Sequence, residues 1–408
     1  MPKRSCCTNL VEHTSKIVKQ LELRDVKQVD IIYTDFTKAF DRLNIRIIVE
    51  VLNCYGINGT LLKWFESFLV NRWQYVKVNG CKSEIYKVHS GVPQGSHCGP
   101  TLFNIVMNLI PITLKDLKII FYADDAKFFL PIKQLSDCNL LQQQATDFYD
   151  CCNILGLELN VKKCKVMSVN KTAQQLKYNY MFGSTVIERV ACFTDLGIIF
   201  NQKFTFKDDL TYRISKARSM LDFIKRQSSE FRDPAILRVL YFAFVRSKLE
   251  YCSQVWDVFY SNYFLENQGS VTLFKNIEKV QANFLKYISR YDRITMNLTY
   301  NEKCTYYGMQ TLATRRTMAS SMFCFDTLTG MIDAEFILSQ MALNCNTRNL
   351  RNVQFMRTDK HRSNYGQNEP INAMLSKFNQ FQDIFDFNID KIQFKKLMSK
   401  KLICQDRA

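Results

Sequence analysis

Three acidic residues in this sequence stand where chemistry is easily built. Asp35 ends the run Val29-Asp30-Ile31-Ile32-Tyr33-Thr34, and Asp124 and Asp125 separate two apolar runs, Leu117–Tyr122 and Lys127–Leu130. A carboxylate at a strand end or in a turn usually does no more than shape the chain. Three of them at the ends of adjacent strands in one sheet would repel one another unless a divalent cation neutralised them. Carboxylate oxygens holding two hard cations about 3.5–4 Å apart are what in-line phosphoryl transfer uses. Between the acids lies Ser90-Gly91-Val92-Pro93-Gln94-Gly95-Ser96-His97-Cys98-Gly99-Pro100. Gly91, Gly95 and Gly99 let backbone approach a ligand closely, while Pro93 and Pro100 stiffen the turn and the entry to a helix. Alone, that loop reads as an ordinary loop-to-helix junction.

The elements that must position these residues follow from changes in hydrophobic period. Residues 29–34 are β-branched and aromatic and predict a buried strand. From Thr37, helical spacing through Phe40, Leu43, Ile47 and Val51 to Gly56 predicts one helix, and Leu61, Leu62, Trp64, Phe65 and Phe68 predict a second. Tyr75 to Val88 predicts a hairpin turning at Asn79-Gly80. A helix from about Pro100 precedes a strand, an acidic turn with Asp125 at its tip, and a return strand. A helical region over 140–155, a strand around 165–169 and strands near 185–200 complete an α+β half. After Phe204 the pattern is helical, with Leu210, Ile214, Ala217, Leu221 and Ile224 at helical spacing and Asp233-Pro234 opening a further helix.

Composition narrows the partners. Of 408 residues, 47% are hydrophobic and 23% charged, with 13 Gly and 7 Pro, which excludes a disordered or collagen-like chain. The net charge of +17 points to a polyanion. No apolar run approaches the roughly 20 residues that cross a bilayer, and the N-terminus has no apolar signal core. The 15 cysteines are scattered without a Cys-x-x-Cys pair, and none of the four histidines lies at zinc-ligand spacing. An odd number of thiols without a signal peptide predicts a reduced, intracellular protein, in nucleus or cytoplasm. In the helical half, Arg213, Lys216, Lys225 and Arg226 are either a solvated face or a surface that tracks phosphates.

Taken together, the motifs resemble a known family. Asp35…Ala39-Phe40-Asp41, Gly91-Val92-Pro93-Gln94-Gly95-Ser96…Gly99-Pro100…Phe103-Asn104 and Phe121-Tyr122-Ala123-Asp124-Asp125 occur in the order of the palm motifs of reverse transcriptases. Leu157-Glu158-Leu159-Asn160-Val161-Lys162-Lys163-Cys164, Leu196-Gly197, Leu249-Glu250-Tyr251-Cys252…Val255-Trp256 and Asn364-Tyr365-Gly366 resemble the non-LTR (LINE-type, jockey-like) retrotransposons. Asp195 and Cys98 depart from the family pattern, which has an aromatic and an aliphatic residue there. The resemblance implies a right-hand polymerase: a remnant of fingers over 1–28, a palm over 29–204, a helical thumb-like region over 205–295 and a helical basic C-terminal region over 296–408.

The resemblance also implies roles. Asp35 and Asp124, with Asp125 as the weaker third carboxylate, would hold two Mg²⁺ ions, with Mn²⁺ as a substitute. Phe36, Phe40, Pro93, Gln94 and Gly95 would meet nucleotide and template, Phe40 as the gate against a ribose 2′-OH unless it is simply a core ring. Lys163 would protonate the leaving pyrophosphate. The partners would be an RNA template, a DNA primer and dNTPs, with the basic fingers clamp and an endonuclease expected from an upstream segment. The activity implied is RNA-directed DNA synthesis; the alternative is a weak or inactive remnant that only binds RNA or RNA/DNA duplex. An RNA-making polymerase is disfavoured by Phe40 and Ala123.

Overall fold

The computed structural model describes residues 3–171, 175–230, 233–257, 268–344, 354–361, 363–367 and 369–405. The chain divides into two compact units, Asp25–Ala191 and Met1–Arg24 together with Cys192–Ala408. The first helix, α1 (Cys6–Glu22), is capped by Ser5 and packs against Ser253–Trp256 and Pro370–Asn379 of the second unit. The units therefore divide at other positions than the subdomain limits read from the sequence. Among the described residues, no helix is long and apolar enough to cross a membrane.

The unit Asp25–Ala191 is built on β1 (Gln28–Thr34), whose seven residues are all buried. A strand buried on both faces must be central. Four short strands follow: β2 (Arg72–Gln74), β3 (Lys77–Val78), β4 (Cys81–Lys82) and β5 (Tyr86–Val88). Then come β6 (Ile119–Tyr122), β7 (Asp125–Ile132), β8 (Lys165–Asn170), β9 (Met181–Phe182), β10 (Thr185–Val186) and β11 (Glu188–Arg189). The main sheet has the order β11-β8-β1-β7-β6, antiparallel except where β11 meets β8. On one face Ile32, Ala126, Phe128 and Val166 join a core with Phe36, Phe103, Leu141 and Phe148. The last of these lies on the long helix Leu135–Ile154.

Asp30 sits within this sheet, fully buried. Its carboxylate accepts from Gln28 Nε2 at 2.7 Å, from Tyr180 Oη at 2.8 Å and from the Ser168 hydroxyl, with Arg189 3.6 Å away. Burial, with Asp30 alongside, pushes the Tyr180 phenol well above its ordinary pKa, so Tyr180 stays a donor.

The single helix expected from Thr37 to Gly56 is two: α2 (Ala39–Arg42) and α3 (Ile45–Cys54). Leu43 is extended, with ψ 133°, and the Asn44 side chain accepts from the Arg46 N–H at 3.0 Å, starting a new helix. Hydrophobic spacing runs on across the break, so periodicity alone could not reveal it. The acidic turn also differs by one residue. Tyr122 pairs with Asp125, so Ala123 and Asp124 form the turn and Asp125 opens β7. Ala123 has φ +53°, a left-handed conformation that costs a non-glycine residue about 1 kcal/mol.

The second unit is mainly helical. A hairpin of β12 (Cys192–Asp195) and β13 (Ile198–Asn201) leads into the helix Lys207–Gln227, which packs against Gln268–Ile288. Asp233 caps the next helix, accepting from the Ala235 N–H at 2.7 Å, as its sequence predicts. That helix ends at Tyr241, a π-helical stretch occupies Phe242–Arg246, and Cys252 is left-handed at φ +47°. Asp257 is buried between Arg316, at 2.7 Å, and Lys377.

Candidate active site

The strand register places the acids. Thr34 of β1 lies opposite Ala126 of β7. Asp35 directly follows Thr34 and Asp125 directly precedes Ala126, so both acids lie at the same end of this strand pair. On the other side of β1, Tyr33 lies opposite Lys165 of β8, and beyond that pair the chain of residues 160–163 turns beside Asp35. Lys163 Nζ is 3.5 Å from Asp35 Oδ2. Asp35 is held by its main chain: its carbonyl accepts from the Asn160 N–H at 2.8 Å, and its N–H donates to Cys164 Sγ at 3.5 Å. Phe36 pairs with Leu159, and the Thr37 N–H donates to the Glu158 carbonyl at 2.8 Å. A turn closed by the Asn160 carbonyl, which accepts from Lys163 and Cys164, then returns the chain to β8. Burial pushes the Cys164 thiol up to about 11, so it remains a neutral support.

The donors at this strand end suit a divalent cation. Asp35 Oδ2 is a buried oxygen that accepts no hydrogen bond. With Asp124 and Asp125 at the same end of the sheet, the donor set is all carboxylate oxygen, the set hard cations prefer. Among the described residues, no three His, Cys, Asp or Glu side chains converge to metal-holding distance. The carboxylates share a strand end, and a cation would have to draw them together.

The glycine-rich loop is tied to the turn that follows Asp35. The Gly91 N–H donates to the Leu43 carbonyl and the Val92 N–H to the Phe40 carbonyl, each at 2.8 Å. Gln94 Nε2 donates to Asp41 Oδ1 at 2.7 Å. Gly91 has φ +76°, and a Cβ there would lie 2.5 Å from the Asp41 backbone, so this junction requires glycine. Gln94 and Gly95 are exposed, and Pro93 is half-buried. Arg72, which the sequence reading missed, donates to the carbonyls of Leu69 at 2.9 Å, Ser90 at 3.0 Å and Gly91 at 2.6 Å. Its acceptors are backbone oxygens from two segments, so no local side-chain pattern marks it.

The two phenylalanines after Asp35 differ. Phe36 is 7% exposed, with its ring 6.4 Å from Phe148, and belongs to the core; it cannot face a nucleotide as expected. Phe40 is half-buried and stacks on Phe103 with centroids 4.2 Å apart, which leaves part of its ring outside the core.

The family described as "Reverse transcriptase (RNA-dependent DNA polymerase)" matches residues 2–186. The RNA-directed DNA polymerase from mobile element jockey of Drosophila melanogaster is 30% identical over 189 residues, 44% of this chain and 20% of that protein. Residues 2–186 are therefore similar to reverse transcriptases. The Pol polyprotein from type-2 retrotransposable element R2DM of the same species is 26% identical over 151 residues, 35% of this chain and 14% of the relative. The matched segment spans about a fifth of the length of its jockey relative (20%). Among solved structures, telomerase from Candida tropicalis, in complex with a TWJ fragment of telomeric RNA, is similar at 13% identity and TM-score 0.39, over 74% of this chain and 53% of that one. The sheet and packed helices of Asp25–Ala191 give the α+β architecture that the sequence predicts for this half.

The four basic residues singled out in the helical half divide three to one. Lys216 and Arg226 are exposed, and Lys225 is half-buried beside Asp222. Arg213 is not on that surface. It is 8% exposed, ion-paired with buried Asp209, and donates to the Gly197 carbonyl at 2.6 Å. With Tyr251, whose hydroxyl donates to the Leu196 carbonyl at 2.8 Å, it holds the turn of the β12–β13 hairpin.

Proposed function

We propose that this chain is the polymerase part of a non-LTR retrotransposon reverse transcriptase, adding dNTPs to a DNA primer on an RNA template. The observation that carries this reading is that Asp35 and Asp125 lie at the same end of the paired strands β1 and β7, with Asp124 in the adjoining turn and the Pro93-Gln94-Gly95 loop tied to the segment that follows Asp35. Asp35 and Asp124, assisted by Asp125, are the residues that would hold two Mg²⁺ ions, or Mn²⁺ in their place. Such ions, when bound, lower the pKa of the primer hydroxyl and neutralise the triphosphate.

The remaining steps belong to the chain's own residues. Asp35 is presented by a main chain pinned at Asn160 and Cys164, so its carboxylate need not be ordered anew as substrate binds. Lys163 balances Asp35 in the free protein and lies within reach of a departing pyrophosphate, to which its ammonium can give a proton. The exposed edge of Phe40 fills the space beside the sugar and excludes a 2′-hydroxyl. Pro93, Gln94 and Gly95 support the new base pair. Lys216, Lys225 and Arg226 of the thumb-like region bind primer–template phosphates, an attraction that weakens as salt rises.

Labelled dNTP added to the purified chain with a DNA primer on an RNA template, with and without Mg²⁺, tests the reading. Mg²⁺-dependent, template-directed extension is expected. Salt-sensitive binding of the duplex without extension would leave only a nucleic-acid-binding remnant.

A further inference from the structure

The hairpin between the third helix of the unit Asp25–Ala191, Gly59–Leu69, and the glycine-rich loop has no role in the chemistry above. It pairs Arg72 with Val88, Trp73 with Lys87 and Gln74 with Tyr86, then Lys77 with Lys82 and Val78 with Cys81. The register shifts by one residue between the two sets, so Glu84 is the extra residue of a bulge. Val76 and Ser83 bridge the two sets through their backbones at 2.9 Å, and Asn79-Gly80 turn at φ +48° and +87°.

Residues 73–87 are exposed throughout, Trp73 at 64% and Ile85 at 64%. Alternation puts Trp73, Tyr75, Lys77, Lys82, Ile85 and Lys87 on one face, and Lys82 Nζ does lie 5.0 Å over the Tyr75 ring. That face carries two aromatic rings and three ammonium groups. The hairpin's one acid, Glu84, is the bulged residue. An isolated two-stranded hairpin is marginal in water, and aromatics left bare on one are unusual unless something covers them.

We propose that this face binds the unpaired part of a single-stranded nucleic acid, its bases stacked on Trp73 and Tyr75 and its phosphates neutralised by Lys77, Lys82 and Lys87. Charge selects the occupant: an apolar protein partner gains nothing from three unopposed lysines, whereas stacking rings interleaved with cations is how strands are held without regard to sequence. Alternate side chains on a strand are about 6.7 Å apart, twice the roughly 3.4 Å rise of stacked bases, which leaves room for one base between the rings. The hairpin is rooted by Arg72 in the Ser90 and Gly91 carbonyls, the loop assigned to the template base pair. The path of the strand into the site rests on the polymerase reading; the binding itself does not.

The intact chain provides the probe. In a Trp64→Phe background its fluorescence reports Trp73, because Trp256, the remaining tryptophan, is fully buried. Short oligouridine should quench it, and should quench an Asp124→Asn variant equally. By anisotropy of labelled oligouridine, Trp73→Ala with Tyr75→Ala should weaken binding about tenfold or more, from stacking alone. Replacing Lys77, Lys82 and Lys87 together by Glu should flatten the dependence of log affinity on log salt by about 2, at about 0.7 per phosphate. These residues are exposed, so thermal melting should match the parent chain. Absent quenching, or unchanged affinity and salt slope in the variants, overturns the proposal. So does a double variant that breaks up a dimer by sedimentation with RNA affinity intact, since the face would then join two copies. A chain that is quenched yet extends no primer fails the polymerase reading and leaves the hairpin site standing.

Discussion

Asp30 and Asp35 lie five residues apart on one chain segment and live in opposite surroundings. Asp30 is fully buried, and its carboxylate is satisfied by Gln28, Ser168 and Tyr180 with Arg189 nearby. Asp35 is reached by solvent, has a buried oxygen without a hydrogen bond, and faces one lysine at 3.5 Å. The first arrangement has no capacity left for a ligand. The second is short of positive charge and donors, and its backbone, not its side chain, is what the fold holds still. A carboxylate's use is thus decided by how completely the protein answers it, more than by its place on a strand.

That contrast is open to direct attack. Replacing Asp124 by Asn should lower primer extension by at least about 10³-fold, several kcal/mol of transition-state stabilisation lost with the charge at the cations. Its melting temperature should barely move, because Asp124 lies in a turn. Asp30→Ala should do the reverse. Leaving its buried donors and Arg189 unanswered should cost about 3–5 kcal/mol in urea unfolding. A stable Asp30→Ala protein, or an Asp124→Asn protein that extends primers, would erase the distinction between the two acids.

The helical unit has its own buried acid, which sharpens the comparison by pH. Burial raises the Asp257 pKa, but Lys377 and Arg316 outweigh it and hold the carboxyl below its usual range. A folded-state pKa below the unfolded value of about 3.9 means that this stabilisation is complete above that pH and lost as pH falls through the folded value. Asp257→Asn should therefore lose most stability near neutrality, and should approach the parent chain as both are acidified below about pH 4. A gap that persists unchanged into acid would show that the charge was irrelevant.

The smallest effect concerns Phe40. Phe40→Val should increase ribonucleotide incorporation relative to deoxyribonucleotide, at a stability cost of about 1 kcal/mol for the lost stack on Phe103. An unchanged sugar preference, or a loss of about 3–5 kcal/mol in Phe40→Ala, would make it a core ring.

Much of the fold was legible because its signals are local. A β-branched run, an Asn79-Gly80 turn and an Asp233 cap each act within a few residues, and each element formed where its signal lay. The order of the three acidic and glycine-rich motifs is likewise a property of the chain, and so is the aromatic and basic alternation from Trp73 to Lys87. The helix break at Leu43 was hidden because the hydrophobic spacing continues through it. Phe36 and Phe40, four residues apart in one motif, were given the same expectation and met different surroundings.

Residue type and spacing by themselves determined which groups could hold cations, stack bases or meet phosphates, because those capacities are intrinsic to the side chains. Only the tertiary structure decided which of them stay available. Arg213 and Lys216 are three residues apart on one helix, yet Asp209 and the Gly197 carbonyl enclose the first while the second remains exposed. A helix turns about 100° per residue, so three steps bring a side chain round to within about 60° of the first. Whether that ends against another element or in water depends on what long-range packing brings alongside.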